Sequence, residues 1–302
     1  MDRFHQMQVY VAVAEEEGFA AAARRLQLSP PAVTRAVAAL EETLGVKLLD
    51  RTTRYVRATE AGRRYLEDAR QILADLEVAD EAAAGINAEP RGHLAVTAPV
   101  LFGRKFVVPG IVDYLQRYPE MEVNAVFLDR VVNLLEEGLD VGVRIGELPD
   151  SSMRALRVGT VRTLVVAAPE YLAAHPEPAV PQDLLDHTTI ASSAGNFARG
   201  WRFAPGLGEH ALRVSPRLTV TTNDAAIEAT RAGFGISRLL SYQVAADIEA
   251  GNLQILLEAF EPPPSPVHIV HREGRHSSAK VRAFIDLMGE RLRSDPALNP
   301  RV

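Results

Sequence analysis

The stretch from residue 19 to residue 62 constrains this chain more than any other part of its sequence. It begins with a short alanine-rich helical pattern, Phe19–Leu26, and a tight connection leads into a second helical pattern, Ser29–Glu41. Ser29 is a good N-cap residue and Pro30 suits the first helical position, so the second helix is predicted to start there. Two short helices joined in this way are typical of a helix-turn-helix, whose second helix enters the DNA major groove.

The apolar residues of the second helix predict which of its faces is free to meet DNA. Val33, Val37 and Leu40 recur at helical spacing, so they should pack against the first helix. Small or hydrogen-bonding residues are then left pointing outward near the N-terminal end. We therefore predict that the helix contacts DNA through Ser29, Pro30, Pro31, Thr34 and Arg35.

A basic hairpin is predicted to follow the second helix. Leu44–Arg51 forms a turn and a short strand, Thr52-Thr53-Arg54 forms the tip, and Tyr55–Thr59 is the return strand. Such a hairpin beside a helix-turn-helix is a wing. Arg51 and Arg54 are its predicted contacts with the DNA backbone or minor groove.

The net charge of −6 does not conflict with DNA binding, because phosphate contacts act over only about 8–10 Å. Between Arg24 and Arg57 the chain has seven basic and three acidic residues, a local excess of four positive charges. The acidic surplus lies elsewhere in the chain. A basic module on an acidic body can bind DNA through one face.

These motifs resemble those of the LysR-type transcriptional regulators. That family carries phrases much like Phe-x-x-Ala-Ala-x-x-Leu, Ser-x-Pro-Ala-Val, Leu-Gly-x-x-Leu-Leu-x-Arg and Thr-x-Ala-Gly, which here stand at Phe19–Leu26, Ser29–Val33, Leu44–Arg51 and Thr59–Gly62. The resemblance is close over residues 1–62 and holds in outline over the remainder. It implies a winged helix-turn-helix DNA-binding domain at 1–62, a linker helix at 63–89 and an effector-binding domain at 91–302.

The linker segment predicts a long helix that pairs with a second copy of the chain. No Pro or Gly occurs between Arg63 and Ala84, and the helix would reach about 40 Å at roughly 1.5 Å per residue. Its apolar residues alternate at spacings of four and three, which is the heptad pattern of a coiled coil. The predicted dimerisation residues are Tyr65, Ala69, Ile72, Leu76 and Ala79. The alternative is a long helix that packs on its own chain.

Beyond a hinge at Asn87–Gly92, strand and helix patterns alternate, which predicts an α/β domain with largely parallel strands. The succession resembles the two-lobed type II periplasmic-binding-protein fold that LysR-type regulators use to sense small molecules. Lobe one should contain about 91–162 and 267–293, and lobe two about 163–266. The patterns include a predicted helix at Val131–Glu137 and a predicted strand at Ala211–Val220. Two crossings between lobes make a hinged cleft, a natural ligand site.

The effector should meet strand ends and helix starts that face this cleft. Those are 97–102 and 128–131 in lobe one, and 196–201 and 221–223 in lobe two. The predicted effector-binding residues are Thr97, Pro99, Phe102, Asn196, Arg199 and Asn223. The family often has Ser or Thr at the start of the first effector-domain helix, where this chain has Pro99-Val100-Leu101-Phe102. This departure argues against an anionic effector and suggests a more apolar pocket.

Several classes of protein find no support in the sequence. There is no cysteine, the eight histidines do not fall at metal-ligand spacing, and no catalytic constellation is present, so we expect no enzyme activity, metal or cofactor. We see no secretory signal and no apolar run near the roughly 20 residues of a membrane span, so we expect a cytoplasmic protein.

The expected partners are double-stranded DNA, a small organic effector and further copies of the chain in a homodimer or homotetramer. The sequence therefore predicts a sequence-specific transcriptional regulator whose C-terminal domain senses a small molecule. The alternative is a cytoplasmic small-molecule binding or carrier protein with a dimerisation helix. That alternative leaves the basic wing and the helix-turn-helix unexplained.

Overall fold

The computed structural model describes residues 2–51, 56–84, 89–148, 153–193, 200–204, 212–272 and 278–299. The chain divides into two compact units, of which the first includes Met1–Ala88 and the second includes Glu89–Gly274 and Lys280–Val302. Each unit has a hydrophobic core of its own. Among the described residues, no helix combines the length and the apolar character that crossing a membrane requires.

Three helices build the core of the first unit: α1 (Arg3–Glu15), α2 (Phe19–Arg25) and α3 (Pro30–Leu44). Helix α2 joins the core through the small side chains of Ala22 and Ala23, which let its backbone approach its neighbours closely. The helix after the connection begins at Pro30, as the sequence predicted. It ends at Gly45, whose left-handed φ of 68° suits a residue without a Cβ.

Two short antiparallel strands, β1 (Leu49–Arg51) and β2 (Val56–Ala58), form the wing after α3. In their register Asp50 lies opposite Arg57, so an acidic and a basic residue face each other across the hairpin. The predicted tip, including Arg54, lies outside the described residues.

The wing closes onto the start of the next helix, α4 (Glu60–Ala84), through the Thr59-x-x-Gly62 pattern. The Thr59 hydroxyl donates to the Lys47 carbonyl oxygen at 2.8 Å and accepts from the Gly62 N–H at 2.9 Å. A Cβ on Gly62 would lie only 2.0 Å from the Leu48 carbonyl oxygen. Glycine is therefore required here by the close approach of two backbones.

The first turns of α4 pack against α1 of the same chain. The ring of Tyr65 lies 5.7 Å from that of Tyr10, and Ala69 is fully buried. Further along, Ile72 is 40% exposed and Leu76 is half-buried. The sequence left open that the long helix packs on its own chain. This is so for the start of α4, whereas the apolar residues beyond it remain exposed or half-buried.

The second unit alternates strands with helices over most of its length. In chain order its described elements are β3 (Gly92–Ala98), α5 (Val100–Phe102), a π-helical segment (Gly103–Val107), α6 (Val108–Arg117), β4 (Met121–Phe127), β5 (Val141–Ile145), β6 (Met153–Val161), β7 (Thr163–Ala167), α7 (Pro169–Ala174), a 3₁₀ helix (Pro181–Asp186), β8 (Thr189–Ser192), β9 (Leu218–Val220), α8 (Asn223–Arg231), β10 (Ile236–Leu240), α9 (Ser241–Glu249), β11 (Gln254–Leu256), a 3₁₀ helix (Glu258–Phe260), β12 (Ser265–Arg272) and α10 (Ala279–Ser294).

These strands form two five-stranded sheets, one in each lobe. Lobe one has the order β4-β3-β5-β12-β6, and lobe two has the order β11-β7-β10-β8-β9. In each sheet four strands run in one direction, while β12 and β7 respectively run antiparallel to both their neighbours. The expectation of largely parallel strands thus holds apart from one strand in each sheet, because the segments that cross between the lobes enter in the reverse direction.

Two local predictions in the second unit were wrong, and one strand was missed. The predicted helix at Val131–Glu137 is a turn, since the Asn133 side chain accepts from the Leu135 N–H and Gly138 follows with a φ of 64°. The strand β6 was not anticipated. Of the strand predicted at Ala211–Val220, the described residues form only β9 and an isolated bridge between Leu212 and Trp201.

The two crossings between the lobes are bonded to each other. Arg162 separates β6 from β7, and Glu261 lies on the return path between β11 and β12. The Arg162 guanidinium donates to both Glu261 carboxylate oxygens, at 2.8 and 2.7 Å, and to Glu258 at 2.7 Å. This paired geometry ties the outgoing and return segments together at the hinge.

Replacing Gly62 with Ala should destabilise the first unit by about 1–3 kcal/mol or more, because the new Cβ must displace the Leu48 carbonyl oxygen. Urea unfolding followed by far-UV circular dichroism measures the effect. The chain has a single tryptophan, Trp201, which lies in the second unit, so its fluorescence transition should stay unchanged.

Gly18→Ala is the matched control, because the nearest atom to its added Cβ is 3.5 Å away and its backbone is extended. It should cost less than about 1 kcal/mol. Equal stability of the two variants would show that the Gly62 contact is not a constraint.

Candidate functional site

The candidate DNA-reading surface is the N-terminal half of α3. Its apolar residues Val33, Val37 and Leu40 are fully buried, and Thr34, Arg35 and Ala38 between them are exposed. The Thr34 hydroxyl donates to the Pro30 carbonyl oxygen at 3.0 Å, which keeps its lone pairs free to accept. The predicted DNA-binding residues of this helix are all exposed: Ser29, Pro30, Pro31, Thr34 and Arg35.

Two basic residues of the wing region, Lys47 and Arg51, are among the described residues. Lys47 is bound to Glu41, with its ammonium nitrogen 2.8 Å from a carboxylate oxygen. Arg51 ends β1, next to the tip. Arg54, the second predicted wing contact, lies outside the described residues.

The carboxylate of Glu41 joins α3 to the wing. Its Oε1 accepts from the backbone N–H groups of Leu48 and Leu49, at 2.9 and 3.2 Å, while Lys47 donates to Oε2. Burial raises the pKa of the Glu41 carboxyl, but the hydrogen bonds from Lys47 and the two backbone groups outweigh it and lower the pKa below its ordinary value. Glu41 is therefore charged and almost fully buried, both of its carboxylate oxygens accept hydrogen bonds, and it holds the wing to α3.

The second candidate site is a cavity of about 430 Å³ lined by residues of both lobes of the second unit. Apolar side chains such as Leu128, Ile145 and Leu240 form part of its wall. Its polar and charged lining residues include Asp129, Arg144 and Glu147 from lobe one. Lobe two contributes Arg202, Asn223 and Tyr242. Its lining is thus not apolar throughout, which differs from the expectation drawn from Pro99-Val100-Leu101-Phe102.

The structure brings only part of the predicted effector-binding set to this cavity. Pro99 and Asn223 line it from opposite lobes. Phe102 is fully buried behind Tyr242, with their rings 5.3 Å apart, and is not part of the lining. Thr97 is buried within β3, and its hydroxyl has no hydrogen-bond partner among the described atoms. Asn196 and Arg199 lie outside the described residues.

Trp201, the lone tryptophan, is a core residue. It is 3% exposed and packs in a cluster with Tyr171 and Leu184 in lobe two. It is therefore a packing residue rather than a stacking platform for a ligand.

A carboxylate of the chain itself lies at the start of the first effector-domain helix. Asp129 Oδ1 accepts from the Val100 N–H at 3.0 Å. Burial raises the pKa of the Asp129 carboxyl, the Val100 bond lowers it and the charge of Asp224 raises it, so that the pKa lies above its ordinary value. The N–H that a ligand anion would otherwise meet is already used.

Arg144 lies on β5 in the cavity wall, half-buried. Its guanidinium donates to two backbone carbonyls, Val132 at 3.0 Å and Val143 at 3.3 Å. The charge of Glu137 acts on it, but the Glu137 carboxylate is held by Arg130 through two hydrogen bonds of 2.6 and 3.0 Å. Arg144 thus faces the cavity without a carboxylate of its own among the described residues.

A second cavity of about 430 Å³ shows the opposite arrangement of charges. Its lining includes Arg231, which forms ion pairs with Glu228 at 2.9 Å and Asp247 at 3.1 Å. Lys105, also in its lining, donates to the Tyr242 carbonyl oxygen at 3.3 Å. Arg231, unlike Arg144, is thus paired with carboxylates of the chain. In the described part of the chain, no group of His, Cys, Asp and Glu is arranged to hold a metal ion.

Comparison with known families gives two consecutive matches. Residues 4–63 match the bacterial regulatory helix-turn-helix protein, lysR family, and residues 87–293 match the LysR substrate binding domain. The second match alone spans more than half of the chain. This chain belongs to the LysR family of transcriptional regulators.

Several transcriptional regulators align with nearly the whole of this chain. The HTH-type transcriptional activator AaeR of Escherichia coli is 32% identical over 95% of this chain and 93% of its own length. An HTH-type transcriptional repressor of Pseudomonas aeruginosa is 31% identical over 99% and 95%. The solved structure of CrgA, a LysR-type regulator from Neisseria meningitidis, is 30% identical with a TM-score of 0.61 and covers 95% of this chain and 98% of that one. The relatives thus include an activator and a repressor at nearly equal identity.

Sequence reasoning about this LysR-type regulator missed Arg144 and Tyr242 as cavity residues. Arg144 had a signal, because it is a charged residue near the carboxyl end of an apolar parallel strand, where ligands of α/β sheets bind. Tyr242 had none, since an aromatic residue in the first turn of a helix is equally typical of core packing.

Replacing Glu41 with Gln should lower the free energy of unfolding of the first unit by about 1–3 kcal/mol at neutral pH. Gln keeps the shape and one acceptor but loses the charge that binds Lys47. Because the folded-state pKa of Glu41 lies below its ordinary value of 4.5, its charge contributes stability that is complete above that value and lost as the pH falls through the folded-state pKa. Urea unfolding followed by circular dichroism should show the difference shrinking in acid.

Glu42→Gln is the matched control, since Glu42 is the next residue and is exposed. It should change the stability by less than about 0.5 kcal/mol. A Glu41→Gln effect that stays constant into acid would contradict the role of the charge.

Proposed function

We propose that this LysR-type regulator reads its operator through the N-terminal half of α3 and changes its DNA binding when a small organic effector occupies the cavity between its lobes. The proposal keeps residues 1–62 as the DNA-binding domain, 63–89 as the linker and 91–302 as the effector domain. Its main support is the division of α3 into a fully buried apolar face and an exposed face that carries Thr34 and Arg35.

Direct readout of bases is assigned to Pro31, Thr34 and Arg35. These side chains are exposed near the N-terminus of the second helix of a helix-turn-helix, the part that enters the major groove in this motif. An arginine fork can donate to both acceptors of a guanine edge. Ser29 and Pro30 stand at the start of the same helix, and Arg51 and Arg54 of the wing are assigned to the DNA backbone or minor groove.

Pairing of two chains is assigned to the part of α4 beyond its contact with α1. Tyr65 and Ala69, two of the predicted dimerisation residues, are used within the chain. Ile72, Leu76 and Ala79 continue the heptad spacing and are exposed or half-buried in the single chain. We therefore infer a homodimer through these three residues, with a homotetramer requiring further contacts. Since its DNA partner is genomic, we infer that the protein acts in the cytoplasm.

Effector sensing is assigned to the cavity because residues from both lobes line it. Pro99 belongs to lobe one and Asn223 to lobe two. A ligand that touches both lobes has different contacts when their arrangement changes, and only such a difference can shift the equilibrium between arrangements. The carrier protein remains the alternative, and it predicts ligand binding without recognition of a specific DNA sequence.

Replacing Arg35 with Ala should weaken binding to the operator by about 1–3 kcal/mol and relax the preference at one base pair, because a bidentate base contact is lost. The operator is first obtained by sequencing genomic fragments that the purified wild-type protein retains. Fluorescence anisotropy on this operator and on single-base variants measures the effect.

Arg282→Ala, an exposed arginine of α10 in the second unit, is the matched control and should bind DNA like the wild type. Equal weakening of Arg35→Ala on all sequences, with a smaller salt dependence, would assign Arg35 to phosphate instead. Failure of the wild type to enrich any sequence would favour the carrier alternative.

Replacing Ile72 and Leu76 together with Asp should convert the dimer to a monomer, because charges would be buried in an apolar seam. Sedimentation velocity measures the change. Binding to an operator with two half-sites should fall with it, since each monomer has one recognition helix. The double variant Glu67→Ala, Asp68→Ala, at two exposed positions of the same helix, should remain dimeric. A dimer that survives the Asp substitutions would refute this seam.

A further inference from the structure

Asp129 and Arg144, two charged residues of the effector cavity, differ in their hydrogen-bond partners. The carboxylate of Asp129 has a backbone partner in the Val100 N–H, 3.0 Å away. The half-buried guanidinium of Arg144 has only carbonyl oxygens, at 3.0 and 3.3 Å. A cation removed from water is stabilised best by an anion in direct contact, and carbonyl dipoles replace that contact only in part.

The sheet places basic rather than acidic residues beside Arg144. In the register of β5, β12 and β6, His268 lies directly opposite Arg144 on one side and Arg157 on the other. Residues directly opposite each other on neighbouring strands project from the same face of the sheet. The Nδ1 atom of His268 is buried and has no hydrogen-bond partner among the described residues. Burial and the charge of Arg157 lower the pKa of His268, so this side chain is neutral at neutral pH. Arg144, His268 and Arg157 thus form a row that begins in the cavity wall and contains no counter-charge for Arg144.

The carboxylates near this row do not neutralise Arg144. The Glu137 carboxylate is bound by Arg130, which donates to it from both terminal guanidinium nitrogens. Glu147 lines the cavity and is exposed, and it forms no ion pair with Arg144 among the described residues. Asp129 is directed to the backbone of Val100. Among the described residues, the half-buried Arg144 therefore faces the cavity without a carboxylate partner, and the helix start is occupied by Asp129.

We propose that the cavity takes a small carboxylate with an apolar body, that Arg144 binds the carboxylate group, and that Asp129 excludes this group from the start of the first effector-domain helix. This proposal deepens the proposed function and rests on the assignment of the cavity as the effector site. The planar guanidinium matches a carboxylate in a two-bond geometry. The apolar body fits against Leu128, Ile145 and Leu240, within a volume of about 430 Å³.

The position of Asp129 sets the orientation of the ligand. A ligand carboxylate placed at the Val100 N–H would displace the Asp129 carboxylate or stand beside it, and two like charges at one site repel each other strongly. The same carboxylate at Arg144 meets an opposite charge. This assigns opposite effects to the two residues: Arg144 raises and Asp129 lowers the affinity for an anion.

The test uses the full-length protein and two matched pairs of probes, benzoate with benzamide and hexanoate with hexanamide. Each pair keeps the apolar body and differs in charge. Isothermal titration calorimetry should show binding of at least one acid, with its amide at least roughly tenfold weaker, as expected for a charged hydrogen-bonded contact. Arg144→Gln should remove this difference, and Arg144→Lys should restore part of it because the charge remains without the fork.

Asp129→Asn should increase the affinity for the same acid several-fold, because it removes a negative charge and keeps an acceptor for the Val100 N–H. This variant keeps the test decisive if Arg144→Gln does not fold, which Trp201 fluorescence reports. Arg157→Gln is the control: it lies in the basic row but not in the cavity lining, and it should bind the acid like the wild type.

The proposal is overturned if neither acid binds at millimolar concentration, if the amides bind as tightly, or if Asp129→Asn weakens the acid. Operator binding by the wild type without any probe is measured alongside. A protein that recognises its operator but prefers neutral probes would refute the role of Arg144 alone. A protein that recognises no operator would refute the proposed function itself.

Discussion

The buried carboxylate of Glu41 is the interaction that joins helix α3 to the wing in this regulator. Among the described residues, this one side chain of α3 accepts from the backbone N–H groups of both Leu48 and Leu49. Lys47 then supplies the counter-charge from the surface. A buried anion is tolerated only when its bonds are made, so the wing has to be in place for α3 to be stable with Glu41 inside.

Local backbone constraints explain why this part of the fold was predictable from sequence. The start of α3 follows from Ser29 and Pro30, and its end follows from Gly45 in a left-handed conformation. Gly62 is dictated by a carbonyl oxygen that leaves no space for a Cβ. Each of these requirements is met within a few residues or at a backbone contact that admits one residue type. Such constraints produce sequence motifs.

The effector cavity was less predictable because its surface is decided by long-range packing. The pattern of β3 and the following helix placed Thr97 and Phe102 near the cleft, yet both side chains are buried. Periodicity distinguishes the faces of a strand or helix but does not tell a core from a cleft. Tyr65 shows the same limit in α4, because its heptad position predicted pairing with a second chain, whereas its ring packs against Tyr10 of its own chain. The helix predicted at Val131–Glu137 failed because Asn133 offers the backbone a competing hydrogen bond.

The placement of charge in the cavity constrains how an effector can act on the lobes. Arg144 and Asp129 both belong to lobe one, whereas Asn223 and Tyr242 belong to lobe two. A carboxylate bound by Arg144 alone would therefore add affinity without favouring one lobe arrangement, and a ligand with equal affinity for two states shifts neither. Switching has to come from contacts of the ligand body with lobe two. A tenfold preference for one arrangement supplies about 1.4 kcal/mol per site. The hinge, held by Arg162 and Glu261, sets how much of that free energy is needed to move the lobes.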